Sequence, residues 1–129
     1  MAGIYIHIPY CKKKCIYCDF YFKINADDMH EMISCIKKEL VNRKNYLKSS
    51  RVKTIYFGGG TPSILNKQDI KTILKTIYDN YKVCENLEIT LEANPDDLNR
   101  KKIASFFNIG INRLSIGVQS FKDDDLIFL

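Results

Sequence analysis

Three stretches of the chain alternate apolar and polar residues with the period of two that is typical of a β-strand. In the first stretch, Ile4, Ile6 and Ile8 alternate with Tyr5 and His7. Residues 87–92 and 113–118 show the same alternation, and residues 52–57 are rich in β-branched and aromatic residues. The pattern therefore predicts four strands, over residues 3–8, 52–57, 87–92 and 113–118.

Apolar residues recur at helical spacing between these strands. Residues 28–48 carry one apolar stripe, and Asp28 with Glu31 three positions later resembles a capping box. A second stripe follows Asn66, a typical N-cap residue, and a short third helix is predicted over 98–108. The resulting order, β-α-β-α-β-α-β with a further helix beginning near the C-terminus, predicts an α/β fold whose strands are parallel and joined by right-handed crossovers.

The polar positions of the strands indicate a ligand site. Parallel strands that are covered on both faces usually read as continuous apolar runs. Strands one, three and four instead each keep a polar face, and His7, Glu92 and Gln119 lie at or just past their C-terminal halves. Parallel α/β folds bind ligands at this end of the sheet, so we expect these side chains to surround a ligand or cofactor.

Composition places the chain among ordinary globular proteins. It has 129 residues, of which 46% are hydrophobic and 27% charged, which suits one domain of modest size. The net charge of +5 is spread over helical faces, with Lys12–Lys14 as the one tight basic run, so we expect no nucleic-acid partner. No apolar run approaches the ~20 residues that span a bilayer, and the N-terminus lacks a signal-peptide pattern. We therefore expect a cytosolic protein whose membrane contact is at most indirect.

Three of the five cysteines, Cys11, Cys15 and Cys18, lie within eight residues. In a reducing compartment such a group favours metal binding or catalysis over a disulfide framework. Three thiolates in one loop would suit a [4Fe–4S] cluster with one iron left free for another ligand. Cys11 with His7 and the other thiols would suit zinc, and Cys15 with Cys18 a redox dithiol. The spacing alone leaves all three possibilities open.

Three glycines, Gly58–Gly60, follow the second strand directly. Glycines at a strand end let the backbone approach a ligand closely, because no Cβ intervenes. A phosphate-binding loop would require a Lys-Ser/Thr pair that is absent here, and a tight turn without a ligand is the plain alternative.

Taken together, the motifs resemble those of the radical S-adenosylmethionine enzymes. Four motifs carry the resemblance along the whole chain: Tyr5-Ile-His-Ile-Pro-Tyr-Cys11 with x3-Cys15-x-Tyr17-Cys18, Gly58-Gly59-Gly60-Thr61-Pro62-Ser63, Glu92-Ala-Asn-Pro95 and Gly117-Val-Gln-Ser-Phe121. They are most similar to the branch that contains the oxygen-independent coproporphyrinogen III oxidases and the HemW-type haem chaperones.

The resemblance implies a role for each matched residue. Cys11, Cys15 and Cys18 would ligate a [4Fe–4S] cluster, and S-adenosylmethionine would bind against its free iron. The implied cofactor contacts are Tyr5, Tyr17, Gly59, Gly60, Thr61, Glu92 and Gln119, of which Glu92 would meet the ribose hydroxyls.

The residue after Cys18-Asp19 separates the two branches. The oxidases carry a further cysteine at the position of Phe20, so this chain resembles the chaperone branch. That branch implies haem as a bound cargo, an apo-haem protein that receives it, and an electron donor. The alternative is a coproporphyrinogen oxidase, and whether the protein is an enzyme stays open.

The family fold implied is an incomplete (β/α)₆ barrel. The chain supplies only its first four β/α units, so residues 1–129 are expected to form a partial core, truncated at the C-terminus. We expect this part alone not to fold stably, because the last strand would leave an open edge.

Overall fold

The computed structural model of the protein describes residues 1–129 and contains one four-stranded parallel sheet with the strand order β1-β2-β3-β4. The strands are β1 (Ala2–Ile8), β2 (Val52–Gly59), β3 (Val83–Ala93) and β4 (Arg113–Ile116). The α-helices are α1 (Met29–Asn42), α2 (Lys67–Asn80), α3 (Arg100–Phe107) and α4 (Asp123–Phe128), and 3₁₀ turns cover Pro62–Ile64 and Pro95–Asp97. The predicted α/β class and order of elements are confirmed.

All apolar strand positions in the core lie on one face of the sheet. Because spatial order follows chain order, crossovers of one hand place their helices on the same side. One cluster of buried residues accordingly joins that face to the first three helices: Ile6, Ile8, Ile55, Phe57, Ile89 and Leu91 from the strands with Ile33, Leu40, Ile70, Ile73, Ile77 and Phe106 from the helices. The opposite face, called the polar face below, carries Tyr5, His7, Tyr56, Thr90, Glu92 and Ser115.

The polar face is aligned by strand register. Tyr5 lies beside Tyr56, Tyr56 beside Thr90, and Thr90 beside Arg113. Side chains two positions apart in a strand point to the same face. The row two positions further along, which contains His7 and Glu92, therefore shares this face. The predicted polar faces of three strands therefore come together, and β2 extends them with Tyr56.

The predicted capping box at the start of α1 is wrong. The N-cap side chain of Asp28 makes no hydrogen bond to the helix. Its carboxylate instead accepts a hydrogen bond from the Tyr10 hydroxyl at 2.8 Å and pairs with the Lys23 ammonium. Tyr10 and Lys23, both outside the helix, therefore occupy the carboxylate oxygens that a cap would use. By contrast, Asn66 caps α2 as predicted, accepting from the Asp69 N–H at 2.9 Å.

Several predicted boundaries also shift. Helix α1 ends at Asn42 and not at residue 48, because residues 43–49 form turns. Strand β3 begins earlier than predicted, at Val83, where it pairs with Val52. Strand β4 stops at Ile116, since the chain turns at Val118, whose N–H bonds to the Ile116 carbonyl at 3.1 Å.

Candidate functional site

The C-terminal end of the polar face carries a connected cluster of polar side chains. The Tyr56 hydroxyl donates to Glu92 Oε1 at 2.6 Å, and the Gly59 N–H donates to Glu92 Oε2 at 3.1 Å. The Tyr5 ring stacks on Tyr56 with 6.0 Å between ring centroids, and its hydroxyl lies 3.0 Å from His7 Nδ1. Three of the predicted site residues, Tyr5, Gly59 and Glu92, therefore lie in one contact network, called the tyrosine–glutamate cluster below.

The negative charge of Glu92 affects the tyrosines beside it. The hydrogen bond to Glu92, followed by burial, raises the pKa of Tyr56 above its ordinary value. Burial and then the charge of Glu92 raise the pKa of Tyr5. Both phenols consequently stay protonated at neutral pH, and Tyr56 remains a hydrogen-bond donor to the carboxylate.

Close packing explains why glycine occupies position 59, the last of β2, and position 60. Gly59 has a φ of 117°, and a Cβ there would lie 2.7 Å from the His7 ring. A Cβ on Gly60 would lie 2.6 Å from the Tyr10 carbonyl oxygen and 3.0 Å from Cys11 Sγ. The glycine segment, Gly58–Gly60, thus lies against the start of the cysteine loop, residues 11–22.

Backbone hydrogen bonds fix both ends of the cysteine loop. The Cys11 N–H donates to the Lys23 carbonyl at 2.9 Å, and the Lys23 N–H donates to the Pro9 carbonyl at 2.6 Å. The Thr61 N–H donates to the Tyr10 carbonyl at 2.7 Å. The loop therefore leaves and rejoins the fold at one point beside the glycine segment.

A cavity of about 820 Å³ lies between this loop and the strand ends. The segment around Asn94 and the residues from Gly117 to Phe121 form its other walls. Seven of the predicted site residues line it: Cys11, Cys15, Tyr17, Cys18, Gly60, Thr61 and Gln119. The remaining three belong to the tyrosine–glutamate cluster, joined to the cavity wall through Gly59 and Gly60.

The donor set of the cavity contains the three free thiols of Cys11, Cys15 and Cys18, the ligand type of iron–sulfur clusters. No three His, Cys, Asp or Glu side chains converge closely enough to hold one metal ion. Zinc needs four donors around one atom, whereas three thiolates suffice for a [4Fe–4S] cluster that keeps one iron free. The ring of His7, a candidate zinc ligand, contacts Tyr5 in the tyrosine–glutamate cluster instead.

The half-buried thiol of Cys11 contacts Thr61, which follows the glycine segment. The Thr61 hydroxyl donates to Cys11 Sγ at 3.4 Å. Burial raises the pKa of the Cys11 thiol, and the hydrogen bond from Thr61 lowers it in part. A nearby cation such as iron would reverse the effect of burial, because metal binding favours the thiolate.

Two polar contacts of the site were not predicted. Tyr56 could have been found from the sequence, since Thr54 and Tyr56 show the same alternation as the other strands. Lys12 and Asp97, by contrast, form an ion pair across the cavity wall although 85 positions separate them, and no local pattern indicates this. Of the remaining cysteines, Cys35 is exposed on α1 and Cys84 is half-buried on β3. None of the helices is long and apolar enough to cross a membrane.

Comparison with protein families matches residues 5–129 to the Radical SAM superfamily. Among curated proteins, the heme chaperone HemW of Buchnera aphidicola subsp. Schizaphis graminum is 42% identical over 95% of this chain and 33% of its own length. HemW of Bacillus subtilis is 40% identical, covering 96% of this chain and 33% of the relative. The mitochondrial radical S-adenosyl methionine domain-containing protein 1 of Danio rerio is 38% identical, covering 99% of this chain and 29% of the relative.

Among solved structures, coproporphyrinogen III oxidase (HemN) from Escherichia coli superimposes with a TM-score of 0.86 at 29% identity. The match covers 95% of this chain and 29% of that enzyme. The chain therefore spans about a third of the length of the curated relatives it matches.

Proposed function

The chain belongs to the radical SAM superfamily, and from that premise we propose that Cys11, Cys15 and Cys18 hold a [4Fe–4S] cluster against which S-adenosylmethionine binds. The observation that carries the proposal is the common cavity: three free thiols in one loop face the glycine segment and the ends of β3 and β4. When bound, the reduced cluster supplies an electron to the sulfonium centre of S-adenosylmethionine. The chain itself supplies the ligands, the cofactor contacts and the enclosure.

The tyrosine–glutamate cluster supports a place for the cofactor's ribose. Glu92 accepts hydrogen bonds from Tyr56 and Gly59, one on each oxygen. A carboxylate has about four acceptor sites, so two remain for ribose hydroxyls. Tyr5 would lie beside the same sugar, because its ring stacks on Tyr56.

The other contacts are proposed for the cavity itself. Tyr17 lies in the cysteine loop and would meet the adenine, whereas Gly60 and Thr61 would meet the methionine moiety through their backbone. Gln119 is exposed on the opposite wall, and its amide donates to the Gly117 carbonyl at 3.3 Å. It would close over the cofactor from that side.

We propose a haem chaperone as the activity of the whole protein. The curated relatives named as HemW and the exposed Phe20, where the oxidases carry a cysteine, support this choice. The cargo would be haem, the recipient an apo-haem protein, and an electron donor would reduce the cluster. The cluster needs reduced thiols, so the protein would work in a reducing compartment such as the cytosol. A coproporphyrinogen oxidase is the second candidate, favoured by the similarity to the solved HemN structure.

Anaerobic reconstitution of the intact protein with iron and sulfide tests the cluster. We expect the broad charge-transfer absorption of thiolate-bound iron near ~400 nm. Cys15→Ala should lose it, whereas Cys35→Ala, a free thiol on α1, should keep it. A wild-type protein without this band, or a Cys15→Ala variant that retains it in full, would contradict the proposal.

Haem and coproporphyrinogen distinguish the two candidate functions. A chaperone should bind haem stoichiometrically and leave coproporphyrinogen III unchanged in the presence of S-adenosylmethionine and a reductant. Decarboxylation of coproporphyrinogen under the same conditions would favour the oxidase instead.

A further inference from the structure

A single buried carboxylate joins three of the segments that form the cavity. The Asp97 side chain is 2% exposed and lies in the turn after β3. Its Oδ2 accepts a hydrogen bond at 2.6 Å from Ser63 Oγ, which follows the glycine segment. Its Oδ1 pairs with the ammonium of Lys12, the residue directly after Cys11. The cysteine loop, the glycine segment and the end of β3 therefore meet at Asp97.

The loop has few other attachments. Between Lys12 and Phe22, one backbone hydrogen bond lies within the loop, from the Cys18 N–H to the Cys15 carbonyl at 3.2 Å. The hydrogen bonds and ion pairs that tie this part of the loop to the rest of the fold are those of Lys12 with Asp96 and Asp97. Without Lys12, only the two ends of the loop would keep hydrogen bonds to the rest of the fold.

The two carboxylates that Lys12 contacts differ sharply in burial. The Asp96 side chain is 65% exposed, and its Oδ2 lies 2.9 Å from Lys12 Nζ. An exposed pair of this kind contributes little, because water screens it and holding the side chains costs entropy. A buried carboxylate, by contrast, must be paired and hydrogen-bonded to be tolerated at all. The Lys12–Asp97 pair is therefore the contact that should hold the loop.

We propose that Asp97 is a positioning residue that fastens the cysteine loop through Lys12 and so retains the iron–sulfur cluster. This inference rests on the proposed function, since it assumes that the loop binds the cluster. Burial of the Asp97 carboxyl would raise its pKa, but the contacts with Lys12 and Ser63 hold the pKa below its ordinary value. Asp97 is consequently charged at neutral pH, as the ion pair requires.

Lys12 is exposed and Asp97 is buried, so removing one partner of the pair has a different cost from removing the other. Asp97→Asn removes the charge but keeps an acceptor for Ser63, and the released Lys12 ammonium is 52% exposed and stays hydrated. Lys12→Met instead leaves a buried carboxylate with one donor, which is the costlier defect. The double variant should therefore be less impaired than Lys12→Met alone and close to Asp97→Asn.

The first measurement is the rate of iron loss from the reconstituted intact protein to an excess of chelator. We expect Asp97→Asn to lose iron about tenfold faster than wild type, which is typical of residues that support metal ligands. Lys12→Met should lose it faster still. Asp96→Asn, which alters the exposed neighbour on the same lysine, should match wild type.

Trypsin sensitivity of the cluster-free protein reports on the loop without any metal. The loop carries cleavable bonds after Lys13 and Lys14. Asp97→Asn should be cut there severalfold faster than wild type or Asp96→Asn, while the thermal midpoints of folded variants change little. If Asp97→Asn fails to fold, Lys12→Met provides the comparison, because it removes the same ion pair from its exposed side and leaves the trypsin sites at Lys13 and Lys14 in place.

The outcomes separate the two proposals. A wild-type protein that binds no iron refutes the proposed function, and the trypsin comparison still tests the attachment of the loop. Equal iron loss and equal cleavage in Asp97→Asn and Asp96→Asn would overturn the role of Asp97. So would a double variant as impaired as the sum of its single changes, since the pair would then be uncoupled.

Discussion

The carboxylate of Glu92 on β3 accepts a hydrogen bond from the backbone N–H of Gly59 at the end of β2, at 3.1 Å. Its other oxygen accepts the Tyr56 hydroxyl at 2.6 Å. One side chain on the polar face thus connects the glycine segment of the cavity wall with the row of aromatic residues across the sheet. Substitutions at Gly59, Glu92 and Tyr56 test, in that order, the fixed backbone, the charge of the carboxylate and the binding of the phenolic proton.

Glu92→Gln should weaken both the fold and cofactor binding. Glutamine offers one oxygen and one NH₂ group to a site with two donors, so one donor loses its acceptor. A donor that loses its acceptor costs about 1–3 kcal/mol, and we expect a loss of this size in the free energy of unfolding. The affinity for S-adenosylmethionine, measured by equilibrium dialysis on the reconstituted protein, should fall as well.

Glu88→Gln is the matched control for this change. Glu88 lies on the same strand and face as Glu92, but its side chain is 49% exposed and its carboxylate lies 3.7 Å from Arg113 Nη1. Its substitution should leave S-adenosylmethionine binding unchanged. Equal effects at both positions would remove the reason for assigning the ribose contact to Glu92.

Tyr56→Phe should change how stability depends on alkaline pH. The raised pKa of Tyr56 means that the folded protein holds the phenolic proton more tightly than the unfolded chain does. Its contribution is fully present below the ordinary tyrosine pKa of about 10 and is lost as pH rises through the higher folded value. Tyr56→Phe should cost about 1–2 kcal/mol at neutral pH, and this deficit should shrink at strongly alkaline pH.

Denaturant unfolding of wild type and variant across this pH range measures the difference. Tyr46→Phe serves as the control, because Tyr46 is 76% exposed and its hydroxyl has no hydrogen bond within the protein. A deficit for Tyr56→Phe that stays constant with pH would show that the phenol does not titrate as its contact with Glu92 implies.

Local patterns predicted the scaffold well, because strand alternation, helical stripes and the Asn66 cap all depend on near neighbours. Local patterns were wrong where residues outside the element bond to the same side chain. Asp28 has the spacing of a cap, but Tyr10 and Lys23 occupy its oxygens. The motifs predict ten site residues, of which seven line the cavity. The contacts of Asp97 with Lys12 and Ser63 depend on how three distant segments pack, which no local motif indicates.

Gly59→Ala should be markedly destabilising. Gly59 has a φ of 117°, which disfavours any residue with a Cβ, and the new methyl group would lie 2.7 Å from the His7 ring. Backbone strain of this type costs about 1–3 kcal/mol, and the clash adds to it. The free energy of unfolding should therefore fall by more than strain alone explains.

Gly110→Ala isolates the part that comes from the backbone. Gly110 has a similar φ of 104°, but a Cβ there would meet its nearest neighbour, Ile89 Cδ1, at an ordinary 3.6 Å. Its substitution should cost less than Gly59→Ala. The ranking would be refuted if Gly110→Ala proved equally or more destabilising, because the packing of Gly59 against His7 would then contribute nothing.

Thr61→Val should release the cluster more readily without unfolding the protein. Thr61 is buried, and its hydroxyl donates to Cys11 Sγ at 3.4 Å, while its backbone N–H is held by the Tyr10 carbonyl in either variant. Valine keeps the shape and removes only the hydrogen bond to the sulfur. We expect about tenfold faster loss of iron to a chelator, as for other residues that support metal ligands. Thr61→Ser keeps the hydroxyl and should stay close to wild type. A valine variant that holds its iron as well as wild type does would show that the hydrogen bond to Cys11 contributes nothing to retention of the cluster.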